Sequence, residues 1–503
     1  MSKPPSLLNS ARLSARPAHA QVPKSKTVYF EVFGCQMNKL DAELMLATLL
    51  DHGYTLTREI ADAGVVLYNT CSVRQQSVNR VYSKLGQLRG RKAREKDLVV
   101  GFLGCVAQHE KESVLKQFPQ VDIVCGTGEF LKLPALIDRV RAGERVLAVD
   151  LDGDVPFRRV TNLGPHPTQA FVSVMRGCDQ ACTFCIVPTT RGKEMSRPVA
   201  EIVDEVRALV DQGVLEVTLL GQTVNSYGKR LAPGRKIGFH HLLHELNKIR
   251  GLERIRFITS HPRFMTQELI DAMGDLERVC EYLHLPVQSG SDAVLKRMLR
   301  TYTLDHYRDV IARCREKIRG FAVATDFIVG FPGESDAEFE ESCKLLEEIR
   351  FQGSFVFKYS PREGTKAALE PDDVPEDVKR ERNQTLLKLQ QRIAREIYRE
   401  RIGRVEEVLV EGPSRSDPDR LTGRNRAQQI VVFPRKIGSG PVVDDLVGQI
   451  VGVRITEATA VTLIGERVGE PKTLENTVRA GSFLPIEELG LLRPVGLDAC
   501  GHE

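Results

Sequence analysis

Apolar and polar positions follow three successive rhythms along the chain, and each rhythm predicts a different architecture. Short β-branched runs at 28–33, 65–68 and 98–103 are each followed by helix-length stretches, near 37–50, 73–88 and 107–118, and a fourth run at 121–124 precedes 131–141. A short apolar run bounded by turn residues reads as a buried strand, and strands alternating with helices imply a parallel sheet covered on both faces. A stretch rich in Asp, Gly and Pro, 150–168, reads as a linker. A second alternation follows, with strand candidates at 171–175, 215–220, 256–259, 282–285, 323–329 and 354–357 and helix patterns such as 199–212 and 337–350 between them. Six βα units predict a complete or partial α/β barrel whose working face lies at the C-terminal ends of its strands. A turn-rich stretch, 360–375, leads into a long polar helix, 376–401. From 404 the rhythm shortens to alternating runs at 405–410, 429–433, 449–455 and 460–464 separated by Gly, Pro and Asp, the pattern of a small all-β barrel. The expected division is a disordered arm over 1–26, a first α/β domain over 27–149, the barrel domain over 165–400, the β barrel over 401–468, and a tail without readable pattern over 469–503.

Composition narrows the class. The 503 residues allow two to four domains, and 42% hydrophobic with 27% charged residues is ordinary for a globular chain. No run approaches the roughly 18 apolar residues of a membrane helix, so no membrane span is expected. The formal charge of +4 is only mildly basic. Its distribution is more telling: residues 74–96 carry eight Lys or Arg against the single Glu95, and 376–401 carry eight against five acids. Each run fits either a solvated helix face or a nucleic-acid contact. Eleven cysteines are too sparse for a disulfide scaffold, and 1–26, with five cations and no acid, lacks the apolar stretch of a secretory signal. The expected setting is cytoplasmic and reducing, with thiols available for metal.

Three of those thiols fall within eight residues, as Cys178-Asp-Gln-Ala-Cys182-Thr-Phe-Cys185, on a loop directly after the strand candidate 171–175. A four-iron cluster normally takes four protein thiolates; three leave one iron open to a small ligand. A zinc site would show a fourth Cys or His at short spacing, and none follows in this segment. Three more thiols, Cys35, Cys71 and Cys105, each come at or just after the end of a strand candidate of the first domain. Ligands of an open parallel sheet gather outside the carboxyl ends of its strands, so these three either meet at one cluster or are independent buried thiols, and their shared topological position favours a cluster. The other five cysteines read as structural. No histidine falls in a catalytic constellation; His240, His241 and His244 read as the polar start of a helix.

The CxxxCxxC spacing resembles the radical S-adenosylmethionine superfamily. Longer motifs narrow the likeness: Gly34-Cys35-Gln36-Met37-Asn38, Asn69-Thr70-Cys71-Ser72-Val73-Arg74, Gly104-Cys105-Val106-Ala107-Gln108, His284-Leu285-Pro286-Val287-Gln288-Ser289-Gly290-Ser291 and Ile328-Val329-Gly330-Phe331-Pro332-Gly333-Glu334. Over about 27–468 the chain resembles the tRNA methylthiotransferases and, through Asn69–Arg74, their MiaB branch. The resemblance implies a flavodoxin-like N-terminal domain, a partial radical S-adenosylmethionine barrel, and a C-terminal OB-like TRAM barrel that contacts RNA, with the segment 423–426 at its tRNA-facing turn. It implies two 4Fe-4S clusters, one on Cys178, Cys182 and Cys185 and an auxiliary one on Cys35, Cys71 and Cys105. The implied activity adds a methylthio group to C2 of N6-isopentenyladenosine beside the tRNA anticodon, using two molecules of S-adenosylmethionine. The adenine C2–H has no useful acidity, so no side chain is expected as acid or base; a carbon radical must remove the hydrogen, and the protein supplies placement and shielding.

For S-adenosylmethionine the expected contacts are Gln222 and Asn225, the turn carrying Gly330 and Glu334, and, near strand ends, Arg197 and Gln288. Expected partners are tRNA, a reductant and cluster-repair proteins, with the chain acting as a monomer. Thr223, Glu363 and Lys366 depart from the family pattern and are expected away from the clusters. The alternatives are the same chemistry on threonylcarbamoyl-adenosine tRNA or on a ribosomal protein, and, from another class, a non-catalytic iron–sulfur RNA-binding protein.

Overall fold

In the first domain, two six-residue strands are buried at every position: Val65–Thr70 (VVLYNT) and Val99–Gly104 (VVGFLG). Such runs suit the centre of a parallel sheet with helices on both faces. The computed structural model, which describes residues 23–72, 75–151, 168–229, 231, 237–435 and 446–472, places them there. Six parallel strands lie in the order Thr55–Leu56, Thr27–Val32, Val65–Thr70, Val99–Gly104, Ile123–Cys125, Val146–Ala148. Numbered along the chain that order is 2-1-3-4-5-6, a flavodoxin-like arrangement whose switch point lies between the first and third strands. The two outer strands, of two and three residues, were not expected from the pattern. Of the expected arm (1–26), linker (150–168) and tail (469–503), residues 1–22, 152–167 and 473–503 lie outside the described residues, and Lys24–Lys26 form a single 3-10 turn before the first strand.

The second domain is a partial barrel of six parallel strands. Gln169–Ser173, Glu216–Leu220 and Arg254–Phe257 form one sheet, and Tyr282–His284, Ala322–Val329 and Gly353–Lys358 form another. An isolated parallel bridge, Ile255 to Val279, joins the two. Among the described residues the first strand does not pair with the sixth, so the wall stays open on one side. The helices Val199–Asp211, Phe239–Asn247, Gln267–Asp275, Leu304–Lys317 and Asp336–Ile349 cover the outside. The long helix Glu376–Arg399 packs on the last strand.

The third domain is a closed barrel of five strands, in the order Val405–Pro413, Arg420–Asn425, Ile430–Pro434, Thr462–Val468, Ile450–Ala458. It docks on the barrel wall through charge. Arg254 and Arg256 are almost fully buried, share the buried Glu216, and donate to the carbonyl oxygens of Glu407, Arg424, Asn425 and Arg426 at 2.8–3.0 Å. Arg426 returns an ion pair to Glu281. The segment 423–426, expected to face tRNA, is therefore held inside this junction, with Asn425 fully buried. Its backbone carbonyls are satisfied by the guanidinium groups, while the Arg424 side chain, half-buried, reaches the central cavity. Arg256→Lys keeps the charge but loses the forked donor, leaving a buried carbonyl without its partner. The expected loss is about 1–3 kcal/mol in the unfolding of the barrel–TRAM junction, read by denaturant titration; a loss below about 0.5 kcal/mol would count against this docking. Among the described residues no helix is long and apolar enough to cross a membrane.

Candidate active site

Cys35 and Cys71 follow the first and third strands of the N-terminal sheet, at its switch point, and Cys105 opens the helix after the fourth. Two glycines let these turns approach. A Cβ on Gly34 would sit 2.6 Å from the Cβ of Cys71, and one on Gly104 would sit 2.3 Å from Asn69 Oδ1. Gly104 also adopts φ 95°, ψ −156°, a conformation open essentially to glycine alone. Asn38, fully buried, ties the turns together. Its Nδ2 donates to Thr70 O at 2.8 Å, its Oδ1 accepts from Cys35 Sγ at 3.3 Å, and its carbonyl accepts from Asn69 Nδ2 at 2.8 Å. Thr70 Oγ1 reaches Leu103 O at 2.6 Å, bracing the third turn against the second. Sequence motifs contained Asn38 and Asn69, but nothing local disclosed that they cross-link separate turns.

A hydrogen bond with Cys71 pulls Cys35 down to about 6 against the opposing effect of burial, with the Arg191 guanidinium adding to the fall. Burial pushes the Cys105 thiol up. Burial would lower the Arg191 guanidinium, yet Asp41, Cys105 and Cys35 around it leave it well above its ordinary value. Arg191 comes from the barrel domain and meets Asp41 of the N-terminal domain at 2.6 Å.

The second triad sits on the loop after the first barrel strand. Cys178 N donates to Gly192 O at 3.1 Å and Thr183 N to Met298 O at 3.0 Å, which pin the loop at both ends. Burial raises the Cys178 thiol and pushes Cys185 up to about 12. Arg300, half-buried, donates through Nη1 to Cys182 Sγ at 3.3 Å. Thr223, expected away from both clusters, is in contact: its Oγ1 lies 3.3 Å from Cys178 Sγ. A helix of five residues, Val187–Arg191, begins two residues after Cys185 and ends with its guanidinium against Cys35 and Cys105. At 1.5 Å per helical residue that connection spans about 9 Å, so the triads are neighbours on one side of the molecule.

Among the described residues no group of three His, Cys, Asp or Glu side chains is placed to hold a single metal ion. Each triad combines buried and half-buried thiols with an arginine set against them, and the N-terminal one is cradled by glycines that no larger residue could replace. That donor set fits an anionic iron–sulfur cluster held by three thiolates.

One cavity of about 460 Å³ unites all three domains. Gly34, Cys35, Cys71 and Cys105 form its roof, the barrel lumen its walls, and Arg424, Gln428 and Val461 of the small barrel its far end. His109 Nε2 on Glu363 O at 2.8 Å and Thr127 Oγ1 on Thr190 O at 2.6 Å help hold the roof in place.

Of the residues expected at S-adenosylmethionine, Gln222 lines this cavity with its Oε1 buried and without a partner among the described residues. Asn225 uses both ends of its amide on the His261 backbone, at 2.8 and 2.9 Å. Arg197 donates to Ser173 O at 2.6 Å and pairs with Glu205 at 2.7 Å. Glu334 accepts from Gly330 N at 2.6 Å and from Arg382 at 2.9 Å, which locks the turn on which Gly330 holds φ 68°. Gln288, at φ 74°, donates its N–H to Asp326 O at 2.8 Å. The Asn225, Arg197 and Glu334 side chains brace loops through partners that include His261, Ser173 and Arg382.

Three family descriptions match the chain: the radical SAM superfamily over 172–346, uncharacterized protein family UPF0004 over 27–126, and the TRAM domain over 399–468. The tRNA-2-methylthio-N(6)-dimethylallyladenosine synthase of Moorella thermoacetica is 44% identical, over 88% of this chain and 98% of its own. The enzyme of that name from Rhodopirellula baltica is 44% identical, over 88% of this chain and 95% of its own. Among solved structures, the radical S-adenosylmethionine methyltransferase TsrM from Kitasatospora setae, with cobalamin and a 4Fe-4S cluster bound, shares the fold at a TM-score of 0.50, 16% identity, 68% of this chain and 77% of that one.

Proposed function

Because the chain belongs to the family of tRNA-2-methylthio-N(6)-dimethylallyladenosine synthases, we propose that the cavity beneath its cysteine triads receives the N6-dimethylallyladenosine beside a tRNA anticodon. The chain is a radical S-adenosylmethionine methylthiotransferase acting on tRNA. Its cofactors, two 4Fe-4S clusters and S-adenosylmethionine, supply when bound a 5′-deoxyadenosyl radical and the sulfur that is transferred. Cys178, Cys182 and Cys185 are assigned to the radical-forming cluster, and Cys35, Cys71 and Cys105 to the auxiliary one.

The observation that carries this reading is the cavity whose roof holds one triad and whose wall includes Val187, two residues after Cys185, and Gln222, next to the Thr223 that touches Cys178. The remaining work of the chain is placement and exclusion. Arg191 and Arg300 set a positive charge beside each set of thiols. Asn38 and Asn69 fix the roof. Phe171, Phe355 and Phe357 give the lumen hydrocarbon walls that keep water from a reactive carbon radical. The target base must leave its anticodon stack to enter. An electron donor and a means of restoring the transferred sulfur are required partners of this chemistry.

The test is anaerobic reconstitution followed by incubation with tRNA carrying N6-dimethylallyladenosine, S-adenosylmethionine and a reductant, with nucleosides analysed by mass spectrometry. The expected products are the 2-methylthio nucleoside and 5′-deoxyadenosine. Product formed only on threonylcarbamoyl-adenosine tRNA or on a ribosomal protein would replace the substrate, and absence of 5′-deoxyadenosine under all conditions would leave a non-catalytic iron–sulfur protein.

A further inference from the structure

The basic run 74–96 is used by neither triad nor by the cavity. Its core is the helix Gln75–Arg94, which begins four residues after Cys71 and packs on the N-terminal sheet through Val78, Val81, Leu85 and Leu88. The structure sorts the cations of this run into two kinds. Lys84, Arg91 and Lys92 lean onto the fold, pairing with Glu31 at 2.9 Å, Glu95 at 3.0 Å and Asp122 at 2.7 Å. Arg80, Arg89, Arg94 and Lys96 are exposed and, among the described residues, have no ion-pair partner. Arg94 and Lys96 suit the negative end of the helix dipole, whose influence ends within a turn and gives no reason for Arg80 or Arg89.

Arg80, Ser83, Gln87, Gly90 and Arg94 recur every three or four residues and are all exposed, so they form one row facing solvent. Gly86 is one turn from Ser83, Gly90 and Arg89 and separates Arg89 from that row. A Cβ would meet nothing within 4 Å at Gly86 and only Arg94 Nη1, at 3.8 Å, at Gly90. Packing requires neither glycine, and neither has a positive φ, although glycine weakens a helix interior relative to alanine. The middle of the face is thus free of bulk, with guanidinium groups around it. Arg80 and Arg94 lie about 21 Å apart along the axis at about 1.5 Å per residue, a length that spans several successive phosphates. The target adenosine must leave its stack to enter beneath Cys71, so the strand that carries it passes over the roof from which this helix starts. The segment 423–426, expected to face tRNA, has its backbone committed to the domain junction instead. Resting on the proposed function for the identity of the RNA, we propose that the exposed face of Gln75–Arg94 is a tRNA-binding surface. Arg80, Arg89 and Arg94 hold phosphates of the anticodon arm, and the clearance over Gly86 and Gly90 lets the sugar–phosphate backbone come close.

The experiment titrates the full-length reconstituted enzyme with fluorescently labelled tRNA carrying N6-dimethylallyladenosine, across a series of salt concentrations. Each phosphate contact steepens the fall of log K with log salt by about 0.7–0.9. The triple variant Arg80→Gln, Arg89→Gln, Arg94→Gln is expected to flatten the slope by about 2 and to weaken binding at physiological salt by roughly tenfold or more. A matched variant, Arg319→Gln, Lys344→Gln, Lys388→Gln, removes the same charge from exposed positions on the barrel domain and is expected to leave the slope unchanged. Gln87→Arg adds a cation within the row and is expected to steepen the slope by about 0.7–0.9, a gain that a damaged fold cannot produce. Gly86→Gln with Gly90→Gln fills the clearance with better helix formers, so binding should weaken while the thermal midpoint holds or rises. Equal flattening in both triple variants would assign the effect to net charge and overturn the surface. So would a wild-type slope in both the arginine variant and Gln87→Arg, and unchanged binding in the glycine variant would overturn the close approach. Methylthiolation assayed on the same wild-type preparation keeps the two readings apart: tight binding without methylthio product would sink the proposed function, while the slopes still decide the surface.

Discussion

Cys71→Ala is expected to abolish methylthiolation while S-adenosylmethionine is still cleaved. Cys71 is 2% exposed and stands at the crossing of two turns, with Gly34 packed against its Cβ. Alanine keeps that Cβ and its packing and removes only the sulfur, so the effect reports ligation rather than folding. Residues that merely support a metal ligand are worth about 10–100-fold, and loss of a ligand should exceed that range. Methylthio product is expected to fall more than about a hundredfold and iron content by roughly half, since one of two four-iron clusters loses a thiolate. Formation of 5′-deoxyadenosine persists, because Cys178, Cys182 and Cys185 belong to another domain and another loop. Cys182→Ala should stop both products. The measurements are iron and sulfide counts with chromatography of both products. If Cys71→Ala retained full iron, or lost both products together, the two triads would not be the separate sites assigned here.

The sequence disclosed the parts of this architecture that depend on local chemistry. Buried β-branched runs and the glycines after them marked both parallel sheets, and the cysteines stood out because each followed such a run. The strand Arg420–Asn425 escaped for a physical reason. It does alternate, but its inward positions are Leu421, Gly423 and Asn425, and only the leucine is apolar. The inward Asn425 is satisfied by Glu406 and Gln429, which no local pattern foretells. Two-residue Thr55–Leu56 is too short to carry a period. The same limit governs the site. Asn225 and Glu334 were expected at the cofactor, and their bracing of loops through His261 and Arg382 was hidden because those partners are distant in the chain. His284 stood in a recognisable motif, yet its partner Asp326 is brought to it only by the register of neighbouring strands.

Arg191→Met should separate the roof from the barrel. The guanidinium and the Asp41 carboxylate are each about nine-tenths buried, at 9% and 10% side-chain exposure, and come from different domains. Burial raises Asp41 above the usual carboxylate range, and Arg191 partly offsets that rise. Removing the cation leaves the carboxylate buried beside the thiols of Cys35 and Cys105 without its counter-charge. Breaking a buried pair in this way costs about 3–5 kcal/mol. Asp41→Asn leaves the opposite charge stranded and should cost a comparable amount, whereas the double variant Asp41→Asn, Arg191→Met should recover much of the loss, because no uncompensated charge remains. Denaturant unfolding of the four proteins reads the coupling directly. Activity should separate from stability: the double variant regains its fold but lacks the positive charge beside the auxiliary thiols, so methylthiolation is expected to stay low while 5′-deoxyadenosine formation continues. Additive destabilisation in the double variant, or full recovery of methylthiolation with it, would mean that Arg191 serves neither to dock the domains nor to balance the charge of the auxiliary site.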